Sequence, residues 1–342
     1  MKDNIIRTAR ILFFLATGLF FLFISFRDVP LEILISGLRS ARYEWVLLSL
    51  SFATLAFLSR AFRWVLLIEP LGYRPSVKNT FYALMTGYLA NFILPRIGEI
   101  TRCGSLNRTD RIPADSLLGT VITERIADLI LLLLLAAAAF VINFDLFGRF
   151  LYGNIIQPFF TWIFSLLDIP LGLLGLIITA IALIMLLYRI LAVWLRNFRL
   201  YRRVEEALKR VGGGMKSVIR MDKKLWFLYH TIFIWLMYFL MTWAVFMALP
   251  ATAMLNAGDA LFILVIGGLG MAAPVQGGFG TYHWIVTLGL GIYGIPREDG
   301  LVFATLSHES QAILMILLGS FSMLMVFLKW KRAQSSPVTN GQ

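Results

Sequence analysis

Apolar residues run along the chain in long blocks separated by short polar stretches. They show neither the alternation of a half-buried strand nor the narrow stripe of a surface helix. A helix needs roughly 20 residues at about 1.5 Å each to cross a bilayer. The blocks at 11–28, 45–68, 117–142, 169–192, 225–250 and 301–328 approach or exceed that length and predict six full spans. Two further apolar stretches are interrupted: 80–95 stops at Pro95 and the charged RIGEITR, and 259–295 is cut by GGLGMAAPVQGGFG. The aromatic stretch 156–167, IQPFFTWIFSLL, is too short to span and predicts an interfacial helix.

Composition agrees with lipid as the solvent. The 342 residues are 59% hydrophobic and 15% charged, with a mean hydropathy of +0.80, against about 25% charged in soluble domains. The first apolar block follows a basic N-terminus as in a signal peptide, but Arg27 and Asp28 follow it rather than small residues, so it predicts a retained helix. The lone Cys103 predicts neither a disulfide nor a thiolate metal site. The formal charge of +12 points to cytoplasmic loops and anionic headgroups rather than to nucleic acid.

Basic residues then fix a topology, because short cytoplasmic loops carry them in excess. Lys2, Arg7 and Arg10 place the N-terminus inside. The stretch 193–224, with ten basic residues against three acids, and the end of the chain, with Lys329, Lys331 and Arg332, are inside as well. The stretch 143–168, with Arg149 its one basic residue, and the uncharged 251–258 are outside. The Arg-rich 96–116 is then inside, so 80–95 enters from the cytoplasm and returns, with Arg96 and Glu99 where it meets the cytoplasmic side, while 259–295 enters and leaves from outside on two arms of about 15 residues. The expected fold is all-α: six transmembrane helices and two re-entrant segments in two inverted halves, 45–142 and 225–328. These form one domain over 1–330, with the basic loop 193–224 on the inner leaflet and a disordered cytoplasmic tail over 331–342.

Candidate chemistry lies at the breaks and in the helices after them. The first half offers Asn91, Pro95, Arg96, Gly98 and Glu99, then Glu124, Arg125 and Asp128 in ITERIADLILLL. Ionisable groups at such depth are costly unless they face a partner or a watery cavity, and Arg60 and Arg63, or else Arg96, are the expected partners of Glu124. The second half offers Pro274, Gln276, Gly277, Gly278 and Gly280, then His308 and Glu309 in LVFATLSHESQAILMILL. Broken helices present free amides that favour anions, so a phosphate beside Arg60, Arg63 or Arg96 is the expected ligand. The glycine-rich break follows a membrane arm rather than a strand, which argues against a nucleotide loop. His283, His308 and Glu309 lack metal-motif spacing, so neither metal nor cofactor is expected, and His230 beside Tyr229 is expected at the interface.

LSRAFRWVLL, NFILPRIGEITR, ITERIADLILLL and APVQGGFGTYHW, in that order, resemble the lysylphosphatidylglycerol synthase transmembrane (flippase-like) family over about residues 10–330. The resemblance implies a lipid flippase of the bacterial or archaeal cell membrane, with both termini cytoplasmic, that moves a phospholipid or other polar-headed lipid between leaflets. It carries over Arg60, Asn91, Pro95, Arg96, Glu99, Glu124, Arg125, Asp128, Pro274, Gly277, Gly278 and Gly280. Aminoacyl-transferring members add a large soluble domain, and about a dozen polar residues follow the last apolar block here, so no enzyme activity is expected. The rival expectations are a membrane enzyme modifying lipid headgroups and a non-transporting partner of a separate lipid synthase or glycosyltransferase.

Overall fold

The computed structural model describes residues 15–142 and 221–335, with isolated positions between 144 and 161. The expected span at 169–192, the basic loop up to residue 220 and the tail from 336 lie outside the described residues. The fold divides into two compact units, one of residues 1–142 and 217–342 and one of 143–216.

In the first unit, the described residues form ten α-helices and no strand. In chain order they are α1 (described over Leu15–Phe26), α2 (Leu31–Arg39), α3 (Tyr43–Ile68), α4 (Val77–Ile93), α5 (Gly98–Asp110), α6 (Ala114–Ile142), α7 (Lys224–Ala248), α8 (Ala257–Ala272), α9 (Thr281–Gly291) and α10 (Arg297–Ser335). Four stretches are long and apolar enough to cross a membrane: Tyr43–Leu71, Ala114–Ile142, Lys224–Ala248 and Arg297–Arg332. They match four of the six expected spans. α1 covers much of a fifth, and this is a multi-pass membrane protein.

Both interrupted segments are helical hairpins. Ser76 starts α4 by accepting from the Asn79 amide at 3.2 Å. α4 stops where Pro95 forces Leu94 into the extended region (φ −139°) and Arg96 turns left-handed (φ 63°). The chain then returns as α5, whose first amide, on Gly98, donates to Asn91 Oδ1 at 2.7 Å. A Cβ on Gly98 would collide with the Gly87 carbonyl oxygen and sit 2.7 Å from the Asn91 amide atoms, so only glycine lets the two arms touch backbone to backbone. At the other end Asn79 Nδ2 donates to both Asp110 oxygens at 2.9 Å and closes the base.

This arrangement corrects two expectations. Within 96–116, Gly98–Asp110 is a helix rather than a connecting loop, and Arg96 and Glu99 do not lie where the segment enters, at its base. They form the tip, at the end of the hairpin opposite its base. The sequence of α5, GEITRCGSLNRTD, has no apolar stripe because it buries Arg102, Cys103, Ser105 and Leu106 through tertiary packing.

The second hairpin pairs α8 and α9. Asn256 and Asp259 form a capping box at its base. The tip spans Ala273–Gly280, where Gly277, Gly278 and Gly280 all have positive φ. Its arms are 16 and 11 residues long.

The hairpins enter from opposite ends. α3 and α7 run antiparallel, with the Arg42 amide donating to the Ala248 carbonyl at one end and Lys223 pairing with Glu69 at 2.8 Å at the other. The first base lies at the Glu69 end, continuous with the C-terminus of α10 through Arg108 over the Trp330 ring at 5.1 Å. The second base follows the C-terminus of α7. Helix, hairpin and helix (α3, α4–α5, α6) therefore recur inverted as α7, α8–α9 and α10. Transporter folds use this arrangement.

Candidate functional site

The two tips meet. Arg96 donates to the Ala272 carbonyl, the last of α8, at 3.1 Å. The Phe92 and Phe279 rings meet edge to face at 6.1 Å, and the Phe92 ring lies 2.8 Å from where a Gly277 Cβ would be. Beside this contact is a cavity of about 360 Å³, within the range of ligand pockets. Its polar lining includes Arg60, Tyr88, Asn91, Arg125, Tyr238 and Gln311, and the rest is largely aromatic and aliphatic.

Behind the cavity lies a buried ionic network. Glu124 is fully buried and accepts from Arg60 of α3 through a short bond, from Arg63 of α3 at 3.1 Å and from Arg102 of α5 at 2.9 Å. Asp128, one turn further along α6, pairs with Arg60 at 3.2 Å and Arg63 at 2.7 Å. Arg60 also donates to the Tyr238 hydroxyl, Arg63 to Thr231, and Arg102 lies 4.6 Å over the Trp64 ring. Three guanidinium groups against two carboxylates leave one formal positive charge in excess. Nε of all three arginines, with Nη2 of Arg102, finds no hydrogen-bond partner among the described residues. A buried net charge of this kind is costly unless a counter-charge or water meets it.

Of the expected partners of Glu124, Arg60 and Arg63 pair with it and the alternative, Arg96, does not; Arg102 is the third partner. Arg102 is hidden from sequence reading, because it lies in a polar stretch; its one signal is a position three residues after Glu99, on the same helix face. Arg63 serves the network alone, with no exposed surface and no part in the cavity lining. Arg125 lines the cavity and approaches Glu99 at 3.7 Å. Asn91 both lines the cavity and caps α5.

In the second half, Pro274, Gln276, Gly278 and Gly280 shape the tip, and Gly277 also lines the cavity. Glu309 Oε1 lies 3.1 Å from His308 Nδ1 and 3.3 Å from His283 Nε2, which brings together residues that sequence spacing keeps apart. The geometry repeats the first half. In each, an acid on the closing helix pairs with a residue on the returning arm of its own hairpin, Glu124 with Arg102 and Glu309 with His283. His230 lies flat against Phe62 at 5.6 Å, its Nδ1 2.8 Å from the Ser59 hydroxyl, outside both clusters.

A family model described as the lysylphosphatidylglycerol synthase TM region matches residues 8–319. The chain is also similar to the UPF0104 membrane protein MJ1595 of Methanocaldococcus jannaschii, at 24% identity over 87% of this chain and 89% of that protein. No solved structure matches.

Proposed function

Because the chain belongs to the lysylphosphatidylglycerol synthase TM region family, and because its inverted hairpins meet beside an amphipathic cavity, we propose that it moves a phospholipid with an anionic headgroup between leaflets. The observation that carries this reading is the excess positive charge of the Arg60, Arg63, Arg102, Glu124, Asp128 network against a cavity that Arg60 itself lines. A phosphate there meets the Arg60 and Arg125 guanidinium groups and the Tyr88 and Tyr238 hydroxyls, while the cavity's volume admits a headgroup and leaves acyl chains outside.

Transport follows from the tips. Opening one hairpin away from the contacts Arg96–Ala272 and Phe92–Phe279 exposes the cavity to one side, and opening the other exposes it to the opposite side. The end carrying Glu69, Arg108 and Trp330 faces the cytoplasm on this reading, the membrane is the cell membrane of a bacterium or archaeon, and the chain carries no group-transfer chemistry of its own. Mass spectrometry of lipid that co-purifies with the protein tests the substrate class. Enrichment of an anionic phospholipid over the host's bulk lipid, lost in Arg125→Ala, supports the reading. A lipid profile identical to bulk in both proteins contradicts it.

A further inference from the structure

His308 faces two hydrogen-bond acceptors. Its Nε2 lies 2.8 Å from the Gly277 carbonyl oxygen, and its Nδ1 lies 3.1 Å from Glu309 Oε1. A carbonyl accepts and never donates, and a neutral imidazole has a single N–H. If that hydrogen is on Nε2, a nitrogen lone pair confronts a carboxylate; if on Nδ1, it confronts the carbonyl. Either arrangement places two lone pairs in contact inside a site where His308 is buried, and such contacts are costly. One proton beyond the neutral-imidazole, ionised-carboxylate set resolves both contacts. His283 needs no such addition, because its Nε2 donates to the same oxygen at 3.3 Å and its buried Nδ1 faces no partner among the described residues.

We propose that His308 and Glu309, steadied by His283, form a binding site for one exchangeable proton whose occupancy holds the second hairpin tip. The proton lies between His308 Nδ1 and Glu309 Oε1, so Nε2–H remains free to grip the Gly277 carbonyl. When it departs to water, the one remaining N–H serves either Glu309 or Gly277. Serving Glu309 releases the tip at a residue already in the left-handed region (φ 57°). Glu309 gives the proton a route, because its side chain is 36% exposed while those of His283 and His308 are 1% and 4% exposed. Ser307 and Gln311, which flank this pair on α10, line the cavity.

Other groups leave the site's charge to these three residues. On α9, Tyr282 engages the Ser307 hydroxyl at 3.1 Å. The tip contributes the Phe279 ring on His308 at 4.9 Å, and α1 contributes the Phe26 ring on His283 at 5.7 Å. Among the described residues, the charged or titratable side chains paired with Glu309 are His283 and His308. The proton site stands on this geometry alone. Its use in driving transport rests on the lipid-transport reading.

The chain contains three histidines, so nitrogen NMR of protein labelled at histidine reads each ring. In the parent at neutral pH, one ring should show a protonated Nε2 together with an Nδ1 that is protonated or engaged by a strong hydrogen bond, and this Nδ1 signal should move as pH rises. Glu309→Gln, whose amide can donate to a neutral Nδ1, should remove that titration and keep Nε2 protonated. An environment-sensitive fluorophore at Gln276→Cys, with Cys103→Ser, should report a tip that loosens at high pH in the parent background and stays closed with Glu309→Gln. Three ordinary neutral rings throughout would overturn the proposal, as would a tip with the same pH response in both backgrounds or ring signals that shift on adding EDTA, which would mark a bound metal. None of these readouts requires lipid movement, so failure of the transport reading would leave the proton site standing.

Discussion

Glu124 accepts from three arginines carried by two other helices. Removing one partner from a buried ionic set leaves the others uncompensated, which costs about 3–5 kcal/mol. Glu124→Gln should therefore lower the unfolding midpoint in detergent sharply, whereas Arg125→Ala, half exposed and 3.7 Å from Glu99, should leave it nearly unchanged. Sequence makes Glu124, Asp128, Arg60 and Arg63 legible because a charge inside an apolar block demands a partner. Arg102 gives no such signal, since the helix that carries it is polar along its length and its burial is decided by packing. The pairing of His283 and His308 is hidden for a related reason: they sit on two different helices, and no local spacing records that the second hairpin folds back beside α10.

At the scale of the element, Pro95 and the glycines of 277–280 correctly mark two breaks, but a break does not reveal whether the chain returns as a helix. The second return, TYHWIVTLGLG, is apolar and readable. The first, GEITRCGSLNRTD, reads as a loop and is a helix because Asn91 caps it and Gly98 packs it against Gly87. Gly98→Ala should thus disrupt the first hairpin, and hydrogen exchange in α5 should rise with little change in α7. Gly277→Ala forces a side chain into the left-handed region, at about 1–2 kcal/mol, and into the Phe92 ring. That change should alter the tip contact while the Glu124 network persists, as reported by fluorescence of Trp64, whose indole donates to Thr120 at 2.8 Å.

For the whole molecule, the charge count along the sequence and the packing of α3 against α7 arrive independently at the same inverted order. The basic residues Arg74, Lys78, Arg108, Arg111, Lys224, Lys329 and Arg332 follow from that order at the end of the first hairpin's base. A reporter fused after Ser335 should read cytoplasmic, and one inserted between Ala253 and Met254 should read external. Both reading the same side would break the inverted arrangement. The meeting of the tips is beyond sequence reading, because no pattern within either segment encodes its partner in the other.

The central claim is that the cavity beside those tips passes an anionic headgroup. It is tested most directly by reconstituting the protein in liposomes and following a labelled anionic phospholipid from one leaflet to the other. The parent should move it, and Arg125→Ala and Arg96→Ala, each folding normally, should slow it strongly, the first by weakening the cavity's hold on phosphate and the second by severing the link to Ala272. A parent that moves no lipid, or variants that move it as fast as the parent, would contradict the account.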